Sequence, residues 1–106
     1  MVSIKFNAEA AKYLDDVDAR YFFYLTSGQY LKNVKELSSA LENMSDHVFN
    51  FHVNSQKNDF YNWVKDVIKD DQLAGSIKDV RQRVAMAKKI NQRISKIERV
   101  KVGKKK

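Results

Sequence analysis

Asn58-Asp59-Phe60-Tyr61-Asn62-Trp63-Val64-Lys65-Asp66-Val67-Ile68 is the stretch whose reading decides the fold. Phe60, Trp63, Val64, Val67 and Ile68 recur at spacings of three and four, the most apolar helical stripe in the chain. The pattern predicts a helix at the centre of the core, opened by Asn58-Asp59 with Asp59 as its cap. Asp66, Asp70 and Asp71 are expected on its solvated flank.

Upstream, Ser45 caps a helix with Val48, Phe49, His52 and Val53 along one face. Before it, Asn33 and Glu36 have the spacing of a capping box, followed by Val34, Leu37, Leu41 and Met44 at helical intervals. Arg20-Tyr-Phe-Phe-Tyr-Leu25 is aromatic and strand-like, Thr26-Ser27-Gly28 is turn chemistry, and Gln29-Tyr30-Leu31 returns, which predicts a β-hairpin. Val2, Ile4 and Phe6 alternate like a short strand, and Asn7 caps a helix with Ala10, Tyr13, Leu14 and Val17 on one face. Asp15, Asp16 and Asp18 meet the unfavourable pole of that helix and keep it short.

Downstream, Asp70 to Ala74 is expected as a short helical turn closed by Gly75. Ser76 and Asp79 form a second capping-box pair, predicting a last helix from Ile77 to about Val100, on the order of 36 Å long. Gly103 ends it, and Lys104-Lys105-Lys106 is a frayed tail. The expected fold is therefore mainly α with a small β-hairpin: a compact helical domain followed by a long amphipathic basic C-terminal helix.

The composition supports one modest core: 106 residues, 43% hydrophobic and 31% charged, with no Pro and three Gly. The absence of Cys removes disulfides and thiolate chemistry together, and fits a reducing cytoplasm. No apolar run approaches the ~20 residues of a membrane span, and no signal peptide is expected from the opening residues.

The net charge of +7 is unevenly placed. Residues 1–76 carry 8 basic and 11 acidic side chains, net −3, whereas residues 77–106 carry 12 basic and 2 acidic, net +10. The boundary divides an acidic helical domain with its hairpin, residues 1–75, from a basic amphipathic helix and tail, residues 76–106. Such a split points to an anionic partner.

On a helical wheel, Ile77, Val80, Val84, Ala87, Ile90, Ile94 and Ile97 form a drifting apolar band. Lys78, Arg81, Lys88, Lys89, Arg93, Lys96 and Arg99 fall within about 140° opposite it, with few acidic partners four residues away. Arg83 lies toward the apolar side, within reach of Asp79. The basic face, with Lys104, Lys105 and Lys106, suits a nucleic-acid phosphate backbone, DNA or RNA, contacted largely without regard to sequence. All twelve aromatics precede residue 64, so base stacking is a poor mechanism for this helix. The alternative is a protein-interaction module: the basic face docks on an acidic protein surface, or Ile90, Ile94 and Ile97 are the seam of a homodimer. A membrane-surface role is weaker, because the apolar band lacks Trp and Phe anchors.

The sequence offers no catalytic motif, no cofactor loop and no metal set, which favours a non-enzymatic protein. His47 and His52 are five residues apart on one helix, about 140° from one another, and do not chelate together. His52, Asn54, Asn58, Asp59 and Trp63 would form a polar site if folding brought them together. The plainer reading is a hydrogen-bonded core network that fixes helix packing.

The run Gly28-x-x-Leu31-Lys32-Asn33-Val34-x-Glu36-Leu37, then Met44-Ser45-Asp46, His52-Val53-Asn54 and Asn58-Asp59-Phe60-x-Asn62-Trp63-Val64, resembles a family of small archaeal and bacterial domains of unknown function. The resemblance covers about residues 20–76. It implies that the acidic body is a module in its own right, and it brings no activity, cofactor or site residue with it.

Overall fold

The structure, a computed structural model, describes residues 10–103, with side chains through Glu98. The strand expected at Val2, Ile4 and Phe6, the Asn7 cap and the Lys104-Lys105-Lys106 tail lie outside the described residues.

The chain is mainly helical, with two small antiparallel hairpins. Asp18 accepts from the Arg20 backbone N–H at 2.9 Å and opens a 3₁₀ turn at Ala19–Tyr21. This turn shortens the strand expected from Arg20, leaving β1 at Phe23–Tyr24. Its partner β2 is Tyr30–Leu31, in the register Phe23 opposite Leu31 and Tyr24 opposite Tyr30. The turn between them needs Gly28, whose φ of +97° lies in the region closed to most side chains.

Helix α1, Val34–Asn43, begins where the sequence places it: the Asn33 side chain accepts from Glu36 N–H at 2.8 Å. The reciprocal arm lands one residue earlier than a standard box, Glu36 Oε1 accepting from Lys32 N–H at 2.8 Å. Ser45 Oγ accepts from Val48 N–H at 3.1 Å and starts α2, Asp46–His52. The chain then makes a second hairpin, β3 Val53–Asn54 against β4 Lys57–Asn58, which the sequence reading runs through as helix and loop.

The decisive stripe follows as α3, Asp59–Trp63, continued by a π-helical turn at Val64–Ile68. Its cap is Asn58, not Asp59: Asn58 Oδ1 accepts from Tyr61 N–H at 2.9 Å. Phe60, Trp63, Val64 and Ile68 are buried, and Phe60 packs on Phe23 and Phe49 with ring centroids 4.9 Å and 6.1 Å away. Lys69, in the left-handed region at φ 67°, ends the turn.

Helix α4, Asp71–Ile77, runs through Gly75 instead of stopping there. Asp70 caps it through Leu73 N–H at 3.2 Å and is buried, not solvated as expected. The last helix, α5, spans Arg83–Gly103 and so starts six residues later than expected. The Ser76–Asp79 box is not formed. Ser76 Oγ donates to the Leu73 carbonyl, while the Asn58 side-chain amide donates to the carbonyls of Ile77 and Lys78 at 3.0 and 3.1 Å. Asn58 thus starts α3 with its oxygen and stops α4 with its nitrogen, satisfying orphan groups at two helix ends.

The core crosses the charge boundary. Leu73, Ala74 and Ile77 of α4 and Met86, Ala87, Ile90 and Ile94 of α5 belong to one buried cluster with Leu31, Leu37, Leu41, Phe49 and Phe60. The acidic and basic parts of the sequence are packed together at residues 73–94.

A candidate nucleic-acid interface on the last helix

Helix α5 is held against the body along two flanks. On one, Arg83 donates from Nη1 to the Leu41 and Glu42 carbonyls at 2.7 and 3.2 Å, and from Nε to Asp46 at 2.9 Å. A guanidinium is here placed at the negative end of α1, where its charge and its fork of donors are both favourable. The sequence reading paired Arg83 with Asp79; Asp46, 37 residues earlier, takes that place. Further along, Asn91 donates to Glu42 at 2.8 Å and accepts from Ser38 Oγ, and Lys35 pairs with Glu98. On the other flank, Arg93 donates from Nε and Nη2 to the two oxygens of Asp70 at 2.8 and 3.1 Å.

These contacts sort the predicted cations. Arg93, expected on the phosphate-binding face, is only 8% exposed and holds Asp70 through Nε and Nη2. It leaves the exposed outer face because α4 covers a second side of the helix, which a wheel drawn for one buried face does not include. Ile90, Ile94 and Ile97, the expected dimer seam, are buried within the chain at 0%, 9% and 3% exposure. Arg99 lies in α5, but its side chain, like the lysine tail, is outside the described part.

What remains is an outer face. Lys88, Lys89 and Lys96 are exposed on α5, together with Val84, Gln92 and Ser95, while Lys78 and Arg81 are exposed in the connection leading into it. Lys89 and Lys96 lie two turns apart, about 10.5 Å along the axis. Among the described residues, none of these five cations has a carboxylate oxygen within 4 Å, whereas Lys32, Lys35, Lys57, Lys65, Arg20, Arg83 and Arg93 all do.

The five polar residues singled out near the second hairpin do not form one site. Trp63 Nε1 donates to the Tyr21 carbonyl at 2.7 Å. Asn54 donates to the Asn50 and Phe51 carbonyls and accepts from Gln56 N–H, and Asn58 is occupied by the helix ends. Only His52 and Asp59 meet, Nδ1 to Oδ2 at 3.0 Å, with Lys57 Nζ on the same Asp59 oxygen at 3.0 Å. His52 is buried among Phe23, Phe51 and Phe60, and its Nε2 accepts from Thr26 N–H at 3.2 Å. Both ring nitrogens are consumed in joining the two hairpins. At the exposed N-terminal side of β1, the side chain and then the backbone N–H of Arg20 hold the Asp18 carboxyl below its ordinary pKa.

Among the described residues, no three His, Asp or Glu side chains converge as metal ligands, and no helix is long and apolar enough to cross a membrane. No family model, curated protein or solved structure matches the chain. The functional reading rests on the geometry alone.

Proposed function

We propose that the protein is a non-enzymatic nucleic-acid-associated protein, contacting the phosphate backbone through the outer face of α5 and the connection before it. The observation that supports this reading is the set of five exposed cations, Lys78, Arg81, Lys88, Lys89 and Lys96, without carboxylate partners among the described residues. Elsewhere in the described chain Lys12 and Lys69 are also exposed without a carboxylate partner, and the other cations are neutralised locally, so the positive charge is densest here. The face carries no aromatic side chain and only two exposed amides, Gln82 and Gln92, which favours phosphate contact over base stacking or edge reading. Ile90, Ile94 and Ile97, the seam of the dimer alternative, are buried within the chain.

Duplex DNA and structured RNA titrated at several salt concentrations test the proposal. If all five cations engage phosphates, log K falls with log salt with a slope of about −4.5. Lys88→Gln, Lys89→Gln and Lys96→Gln together then reduce the slope by about 3. Absence of salt-dependent binding to either polymer overturns the proposal.

A further inference from the structure

Behind the outer face, α4 and α5 enclose a shallow pocket of about 180 Å³, whose lining includes Gln72, Ser76, Lys89, Gln92, Arg93 and Lys96. Beside Leu73, its lining residues are two lysines, two glutamines, a serine and an arginine, with no carboxylate among them. Arg93 is the informative member. Its Nε and Nη2 grip Asp70, which fixes the plane of the guanidinium. Its Nη1 makes no hydrogen bond among the described residues, although the side chain is more than nine-tenths buried. A buried donor without a partner is costly, and a ligand oxygen at the pocket would supply one.

We propose that this pocket seats a single phosphate group. The proposal deepens the phosphate-contact reading of α5 and rests on it. Lys89 stands one turn before Arg93 and Lys96 nearly one turn after it, so the two lysines bracket Arg93 along the helix. With Asp70 balancing Arg93, the pocket keeps a net charge of +2 from the lysines, matched to a phosphate monoester or diester. Gln72 and Gln92 add amide donors from the two helices. The Asp70–Arg93 pair thereby serves two ends: it joins α4 to α5 and fixes the plane of a guanidinium that lines the pocket, so little ordering is left for the ligand to bring about.

The experiment titrates the full chain with inorganic phosphate at ionic strength held constant with chloride, reading backbone amides and the Arg93 side-chain signal by NMR. The expected result is saturating shifts confined to Gln72, Lys89, Gln92, Arg93 and Lys96. Lys89→Gln/Lys96→Gln weakens phosphate binding by about tenfold or more, the scale of lost charge-assisted hydrogen bonds. Gln72→Glu, which puts a carboxylate into the pocket at a position in the first turn of α4 where negative charge favours the helix, weakens it too. That variant keeps the test decisive if the lysine pair proves poorly folded. Lys32→Gln/Lys65→Gln leaves the affinity within about twofold, because neither residue lines the pocket.

Non-saturating shifts spread along residues 78–96, or phosphate binding indifferent to Gln72→Glu, overturn the seat. A duplex arm separates the two sources of the phosphate. Phosphate binding with no duplex binding supports the seat and overturns the nucleic-acid reading, making a free phosphorylated small molecule the ligand. Duplex binding whose salt slope is unchanged by Lys89→Gln/Lys96→Gln overturns the seat and leaves the nucleic-acid reading standing on the remaining cations.

Discussion

Arg93 and Asp70 face each other as a two-pronged ion pair, 2.8 Å from Nε to Oδ2 and 3.1 Å from Nη2 to Oδ1, with side chains only 8% and 2% exposed. The same carboxylate accepts from Leu73 N–H, so one side chain both starts α4 and anchors α5. The Tyr13 ring lies 5.7 Å from the guanidinium carbon and brings the N-terminal segment to the same point. Burial on this scale makes the pair sensitive to loss of either member, because the partner left behind keeps its charge without compensation.

Asp70→Asn isolates that term. The amide oxygen still accepts from Leu73 N–H, so the helix cap is retained while the countercharge disappears. The expected loss is about 3 kcal/mol of unfolding free energy. Arg93→Met strands Asp70 and costs a similar amount. The double substitution costs less than the sum of the two, since it leaves no buried unpaired charge. Urea unfolding with unchanged m values measures all three, and strictly additive losses would contradict the pairing.

Arg83 supplies a second long-range prediction. Its fork closes the C-terminal end of α1 through the Leu41 and Glu42 carbonyls, and Arg83→Ala is expected to cost about 1–2 kcal/mol. Arg83→Lys recovers only part of this, because a single ammonium does not reproduce the planar fork. Since Arg83 is engaged with the body, its removal leaves the salt slope of duplex binding unchanged, unlike removal of Lys88 or Lys96. Thermal unfolding and a salt titration on the same variants check both halves.

The local parts of this fold were legible in the sequence. Asn33 and Ser45 cap the helices their spacing predicts, and Gly28 turns the first hairpin. The second hairpin was not legible, because its turn, Ser55-Gln56, carries neither Gly nor an Asn-Gly pair to announce it. The break between α4 and α5 was also hidden. Residues 78–82 contain no Gly or Pro, and the helix is stopped by Asn58, about twenty residues away. Of the cations expected on the basic face whose side chains are described, Lys78, Arg81, Lys88, Lys89 and Lys96 are exposed and Arg93 is not. Its partner lies 23 residues away on a helix whose position only the tertiary fold decides.

Lys69 occupies a left-handed conformation, φ 67°, where its N–H closes the π-helical turn on the Val64 carbonyl at 2.7 Å. For a side chain with a Cβ this region costs roughly 1–2 kcal/mol, while replacement by glycine adds roughly 0.4–1 kcal/mol of unfolded-state entropy to be lost. The first effect is the larger. Lys69→Gly is therefore expected to stabilise the protein by about 0.5 kcal/mol, and Lys69→Val to destabilise it by more than that. The residue is exposed, so neither change disturbs packing, and the order of melting temperatures, Gly above Lys above Val, is the check.

His52 yields a prediction about a single proton. A backbone N–H donates only to a lone pair, so the contact from Thr26 N–H requires Nε2 to be unprotonated. The ring proton then sits on Nδ1, where it is donated to Asp59 Oδ2. Long-range proton–nitrogen correlation should accordingly show Nδ1 as the protonated nitrogen and Nε2 as the bare one. Asp59→Ala removes the acceptor, frees the ring to exchange tautomers and weakens the Thr26 contact, at a cost of about 1–3 kcal/mol for the stranded buried donor. Hydrogen exchange at the Thr26 amide should accelerate in that variant while exchange in α5 changes only with global stability. Because His52 bridges the tip of the first hairpin to the start of α3, this separates a local hinge from a general loss of packing. A proton found on Nε2 would mean that the two hairpins are not joined through this ring.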